Sequence, residues 1–272
     1  MQCVRLGRSG LWVSEISLGT LTFGREIEAS AGGAIIDRFL AEGGNFIDTA
    51  DIYSAGASEK AVGQSLKGRR NSVILTTKGG FPSSSDPNES GNSRRNLIRC
   101  VDQSLRNLQC EWIDLYQLHY WDPWTPLEET LSALNHLVEA GKIRYYGVSN
   151  FTAWQLACAV REARSSGYPE IVSCHLEYSL MIRDADRELL PYCEFDGVAA
   201  VPWSPLGGGI LSGKYKGVDK LELGTRIGDP SPWPETTVGR LTPRNLSIVD
   251  GLREIAKEVG KTPSQVALNW TM

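Results

Sequence analysis

Residues 72–119 read SVILTTKGGFPSSSDPNESGNSRRNLIRCVDQSLRNLQCEWIDLYQLH. SVILTTK and IDLYQLH are short runs of strand-forming residues, and RRNLIRCVDQSLRNL between them has apolar positions at the helical period. A strand, a Pro/Ser/Gly-rich loop, a helix and a second strand make one unit of a parallel sheet. The same unit recurs in both directions. Strand-like runs appear at EISLGT, NFIDTA, KIRYYGVSN, EIVSCHLE and GVAAVPWS, with helical stretches such as ASAGGAIIDRFLAEGG between them. In PLEETLSALNHLVEAGK, Leu127, Leu131, Leu134 and Leu137 fall on one face. Thr125 before Pro126 and Glu128 reads as its start and Gly141 as its stop. A hairpin turning at Arg8, Ser9 and Gly10 precedes the series. Seven such units predict one α/β domain over 1–272, a (β/α)8 TIM barrel, with a doubly wound open sheet as the other option. The last residues, LSIVDGLREIAKEVGKTPSQVALNWTM, read as two helices broken at Thr262 and Pro263, with no eighth strand or C-terminal helix after them. Loops 82–93 and 217–244 follow strands and are expected over the strand ends, where a barrel keeps its active site.

Bulk properties narrow the function. With 28 basic against 32 acidic side chains and a pI near 5.5, the chain lacks the basic excess of a nucleic-acid binder. No apolar run is long enough to cross a bilayer, and MQCVRLGRSG has no signal pattern, so a cytoplasmic protein is expected. Six cysteines without CxxC or metal-ligand spacing read as reduced thiols, and no metal site is expected.

SPLGGGILSGKY, residues 204–215, has the GxxxxGK spacing of a phosphate loop. Such a loop continues with Ser or Thr to hold magnesium, and Tyr215 stands there instead. A Gly-rich turn leaving the seventh strand is one reading. A loop whose backbone N–H groups and Lys214 grip a dinucleotide pyrophosphate is another.

Asp48, Lys78 and His119 close the second, third and fourth strand runs, and Tyr53 follows Asp48 by five residues. Singly, each has a structural explanation: a turn cap, a solvent-reaching lysine, loop packing, a core histidine. Together they sit at neighbouring strand ends on one rim of a barrel. The chemistry they suggest is proton donation by Tyr53. Its phenol is a weak acid that a neighbouring ammonium, Lys78, is expected to strengthen, with Asp48 holding Lys78 in place. His119 is suited to hydrogen-bond a carbonyl oxygen. None of the four supplies a hydride, so a cofactor such as a reduced nicotinamide is implied.

FIDTADIYSAGASEKAVGQSL, TTKGG, DLYQLH, EAGKIRYYGVSNF, EYSLMIR and VPWSPLGGGILSGKY together resemble the aldo-keto reductase family, from Leu6 to the end of the chain. The resemblance implies a (β/α)8 barrel that reduces aldehydes or ketones with NADPH, NADH remaining open. It assigns the catalytic four to Asp48, Tyr53, Lys78 and His119, with Tyr53 as general acid. It gives Ser149 and Asn150 to the nicotinamide carboxamide, Trp203 to the nicotinamide ring, and Ser204, Pro205, Leu206, Gly208 and Lys214 to the pyrophosphate loop. Gly19, Thr20 and Asp48 lie where the backbone approaches the cofactor. Phe23, Tyr120 and Trp121, with Tyr53 and His119, are expected to line the substrate pocket under a lid formed by 217–244. His175 stands where the family usually has glutamine, which suggests a weaker or pH-sensitive carboxamide contact. A small-molecule carbonyl substrate is the expected partner, with no nucleic acid or membrane and with oligomerisation open. Two rival readings remain. WSPLGGGILSGKY is also similar to the branch containing potassium-channel β subunits, a cofactor-binding regulatory role, and the lack of an eighth strand suggests an inactive reductase.

Overall fold

The computed structural model describes residues 1–215, 217, 225, 227 and 239–272. Most of loop 217–244, the expected lid, lies outside the described residues.

The expected hairpin pairs β1 (Cys3–Arg5) with β2 (Trp12–Ser14), and Leu6 N–H donates to Leu11 O at 2.9 Å across the turn. Next come β3 (Ser17–Gly19), α1 (Ala29–Ala41), β4 (Phe46–Asp48), α2 (Ala57–Ser65), β5 (Ile74–Gly79), α3 (Arg94–Leu108) and β6 (Ile113–Leu118). They are followed by α4 (Leu127–Glu139), β7 (Ile143–Ser149), α5 (Ala153–Ser165), β8 (Ser173–Glu177), α6 (Leu189–Asp196) and β9 (Ala199–Trp203). Beyond 240 lie α7 (Pro243–Glu258) and α8 (Pro263–Trp270).

Strands β3 to β9 form one sheet in strict sequence order, and the registers given from β3 to β8 are parallel. A doubly wound sheet reverses its order at a switch point. This one never does, so the fold is the (β/α)8 barrel through its seventh strand, with no eighth strand among the described residues.

Two compact units are described separately: residues 1–175 with 191–200, and residues 176–190 with 201–272. In the first, α3 shows why the helices form. Ser93 Oγ accepts from Asn96 N–H at the start, and Leu97, Cys100, Val101 and Leu108 make the buried face. Helix α2 meets α3 at Gly63, where a Cβ would run into the backbone of Leu108. Gly63→Ala is expected to cost about 1–3 kcal/mol, read as a lower Tm at unchanged helix content. In α4, Leu131, Leu134 and Leu137 are buried as expected, and Gly141 closes the helix at φ 71°. Its start differs: Thr125 donates its hydroxyl to Asp122 Oδ2 at 2.6 Å, and Pro126 takes the cap position.

In the second unit, Met181, Ile210, Leu211, Tyr215, Val249, Leu252 and Ala267 form the core. The break at Thr262 and Pro263 is a capping box with Gln265. All six cysteines are free thiols. No described helix is long and apolar enough to cross a membrane.

Candidate active site

Parallel register sets the depth of the site in the first unit. Asp48 pairs with Thr76 and Lys78 with Gln117, so Lys78 extends one pleat beyond the level of Asp48. Its side chain turns back and is fully buried. Lys78 Nζ donates to Asp48 Oδ1 at 2.8 Å, Asp48 Oδ2 at 2.7 Å and Thr49 O at 2.8 Å. It also reaches the Tyr53 hydroxyl oxygen at 3.3 Å and lies 4.9 Å from the ring centroid. An ammonium has three hydrogens, so these acceptors share them, and the phenol is the weakest-held. Because the phenol oxygen accepts from Lys78, its own hydrogen is left for another acceptor.

Tyr53 owes its place to a strained turn. Residues Tyr53–Gly56 form a 3-10 turn in which Ser54 and Ala55 have φ of 51° and 53°, and Gly56 follows at 85°. Non-glycine residues in this region are uncommon and cost roughly 1–2 kcal/mol each. His119 follows β6, donates its backbone N–H to Gly79 O at 2.9 Å, and sets its ring edge-on to Tyr53 with centroids 6.0 Å apart. Its Nδ1 is buried without a hydrogen-bond partner among the described residues. The four catalytic candidates therefore converge.

Their electrostatics depart from expectation in one respect. Burial pushes the Tyr53 phenol up, and the neighbouring Lys78 only partly offsets it, so the net shift is upward from 10. The ammonium does favour phenolate, as reasoned from sequence, but desolvation outweighs it. Burial works against the Lys78 ammonium too, yet Asp48 and Tyr53 prevail and hold it above its usual value. The Asp48 carboxyl is raised by burial against the pull of Lys78. His119 is pushed down to about 2, by burial first and then by Lys78 and His175, and is neutral at any ordinary pH.

Ser149, Asn150 and His175 form a second group beside this one. Ser149 pairs with His175 in register, and its Oγ lies 3.3 Å from His175 Nδ1. Asn150, at φ 59°, donates Nδ2 to Ser149 Oγ at 3.1 Å and to His119 O at 3.0 Å, linking the groups. Burial, then Lys78, holds His175 well below its ordinary range, so it stays neutral and brings no pH sensitivity near neutrality. Hydroxyl, amide and neutral imidazole make an uncharged donor–acceptor set that matches a carboxamide.

Comparison with known proteins decides the family. The model of the aldo/keto reductase family matches residues 15–272. The chain belongs to the aldo/keto reductase family. Its relatives include an uncharacterized oxidoreductase, YrpG, of Bacillus subtilis (strain 168), 36% identical over 100% of this chain and 83% of that one. Versiconal hemiacetal acetate reductase of Aspergillus parasiticus is 33% identical over 100% of this chain and 85% of that one. A putative voltage-gated potassium channel subunit beta of Schizosaccharomyces pombe is 36% identical over 98% of this chain and 79% of that one.

The remaining family positions behave unequally. Thr20 is buried and engaged, its N–H and hydroxyl both on Asp48 O at 2.9 Å, whereas Gly19 is exposed with open space where a Cβ would stand. Phe23, expected as a pocket wall, is 2% exposed, with its ring against Gly32 of α1. Its place is in the core. Tyr120 and Trp121 are half-buried, Trp121 edge-on to Phe151 and Trp154. Phe81 was missed from sequence. It stacks on Tyr120 at 4.8 Å and meets His119 at 4.5 Å. Register was the available signal, since Gly79 pairs with Leu118 and therefore brings Phe81 level with Tyr120.

In the second unit Trp203 ends β9, and Ser204, Gly207, Gly208, Gly209 and Gly213 all have φ between 51° and 94°. The N–H groups of Gly207, Gly209, Leu211 and Gly213 close turns within the loop. Pro205 and Leu206 sit half-buried at its start, and exposed Lys214 is its cation.

Proposed function

We propose that this chain reduces an aldehyde or ketone to an alcohol, taking hydride from NADPH or, in its place, NADH, with Tyr53 as proton donor. The observation that carries this reading is the buried Lys78 ammonium, held on both oxygens of Asp48 and 3.3 Å from a phenol beside a neutral histidine. A dinucleotide suits the residues present. Ser149, Asn150 and His175 have the chemistry to hold its carboxamide. Trp203 for the ring, and Ser204, Pro205, Leu206, Gly208 and Lys214 for the pyrophosphate, rest on the family resemblance, as do Gly19, Thr20 and Asp48.

When bound, the cofactor supplies hydride to the carbonyl carbon. The oxygen then becomes an alkoxide and needs a proton. Tyr53, raised above its ordinary value, carries that proton at every working pH. Lys78 stabilises the phenolate left after donation, and Asp48 keeps Lys78 charged and aimed. His119, being neutral, offers a hydrogen bond to the carbonyl oxygen without competing for the proton. Phe81, Tyr120 and Trp121 provide apolar walls. That the 272 residues act as one cytoplasmic barrel domain is part of the same proposal.

The test is titration of purified protein with NADPH, and separately NADH, by cofactor fluorescence, followed by turnover on an aldehyde panel. Saturable binding below millimolar cofactor, with turnover, is expected. Absence of both overturns the reading. The potassium-channel subunit relative favours a second one, a cofactor-binding regulator of a membrane partner. Cofactor binding without turnover, together with co-purification of a membrane protein, is the outcome that reading requires.

A further inference from the structure

The second aspartate of DTADIY has no part in the reduction described above. Asp51 donates its backbone N–H to Lys78 O at 3.0 Å, which ties it to the strand position of the clamped ammonium. Its carboxyl sits over Gly79, where a Cβ would come within 3.0 Å of Asp51 Oδ2 and collide with the Tyr116 hydroxyl. A side chain at 79 would strike the Tyr116 hydroxyl first and crowd that carboxyl. Oδ1 is buried and has no hydrogen-bond partner among the described residues.

Asp51 is surrounded by titratable groups from each packed element. Helix α2 contributes Glu59, α3 Arg99 and Cys100, β6 Tyr116, and β5 Lys78. The two carboxyls are held very differently. Glu59 accepts from the Thr77 hydroxyl at 2.7 Å and the Asn107 amide at 2.9 Å, one on each oxygen. In a dry interior two adjacent carboxyls resist double ionisation, and the less hydrogen-bonded one takes the proton. That is Asp51. Burial and then Glu59 push it up to about 7, while Cys100, Ile52 N–H and Arg99 pull more weakly the other way. The Cys100 thiol is itself pushed up to about 12, so it remains a neutral donor.

Tyr53 lies two residues on, and negative charge on Asp51 opposes its phenolate. We propose that Asp51 is a positioning residue of this site, whose carboxyl, seated over Gly79 beside Glu59, sets by its charge how readily Tyr53 gives up its proton. The inference rests on the proposed reduction with Tyr53 as donor. Burial, and then the Asp48 charge, already disfavour the Tyr53 phenolate against the pull of Lys78; ionised, Asp51 adds to that cost and slows reduction, and protonated it does not. No proton passes from Asp51 to substrate.

The experiment compares kcat for aldehyde reduction in the wild-type chain and Asp51→Asn from about pH 5.5 to 8.5. The wild-type rate is expected to fall across neutrality roughly three- to tenfold more than the variant's. Superimposable profiles overturn the inference. Glu59→Gln is the second variant, needed if Asp51→Asn misfolds. With Glu59 neutral, Asp51 ionises more easily, so the inflection moves to lower pH, and an unmoved inflection counts against the proposal. A cofactor-free readout separates this inference from the reductase reading. In resting protein carrying [ζ-13C]tyrosine, the Tyr53 resonance is expected to step through neutral pH, and the step vanishes in Asp51→Asn. That result with no turnover sinks the reductase reading and supports the Asp51–Tyr53 coupling. A resonance flat through neutral pH overturns the coupling.

Discussion

Tyr53→Phe is expected to lower kcat for carbonyl reduction by about 10²–10⁴, the range associated with a positioned general acid. The substitution removes one oxygen and nearly nothing else. Among the described residues the phenol makes one hydrogen bond, at 3.3 Å, the longest of the four to Lys78 Nζ. The three shorter bonds to Asp48 and Thr49 stay, so the ammonium keeps its place. Ring contacts to His119 and Lys78 also remain. Cofactor affinity should change less than threefold or so, since Ser149, Asn150 and His175 are held by one another and by His119 O. A variant with normal cofactor titration and normal kcat removes Tyr53 from the mechanism.

Lys78→Met acts on stability as well as on activity. Methionine approximates the stem of lysine and abolishes the charge, leaving the Asp48 carboxylate buried and unpaired. Breaking a buried pair from one side typically costs about 3–5 kcal/mol. Its pH dependence follows from the direction of the Asp48 shift. Burial raises that carboxyl in the folded chain, and losing Lys78 removes what opposed the rise. The folded variant therefore holds a proton that the unfolded chain has released. Stability is retained in acid and declines as pH rises from the unfolded value of about 4 toward the folded one. Thermal unfolding at several pH values measures this. Adding Asp48→Asn should restore most of the lost stability at neutral pH while leaving turnover absent. Equal instability of single and double variants would mean that the pair contributes packing rather than charge.

Much of this site is legible in sequence because strands place their ends in register. Asp48, Lys78 and His119 close three successive strands, and Gly19 pairs with Asp48 in the observed sheet. Periodicity found the buried leucines of α4, and turn chemistry found Gly141 and Thr262. What stayed hidden depends on burial and on partners distant in the chain. Desolvation reverses the expected shift of Tyr53, because sequence shows the neighbouring charge and not the loss of water. Phe23 looks like a loop aromatic until α1 covers it at Gly32. Thr125 yields the cap position to Pro126 because its hydroxyl is drawn to Asp122, three residues back, which also gathers Trp124 N–H at 2.9 Å. Asp51 and Glu59 meet only when α2, α3 and β5 assemble.

The central claim is that a hydride and the Tyr53 proton are added across a carbonyl in this chain. The most direct measurement is the mass of the alcohol formed when an unlabelled aldehyde is incubated with the protein and reduced nicotinamide dinucleotide carrying deuterium at the transferring carbon. An alcohol with deuterium on the former carbonyl carbon, formed about 10²–10⁴-fold more slowly with Tyr53→Phe, is the expected product. No alcohol, or an alcohol without label from both stereochemical forms of the deuterated cofactor, contradicts the claim.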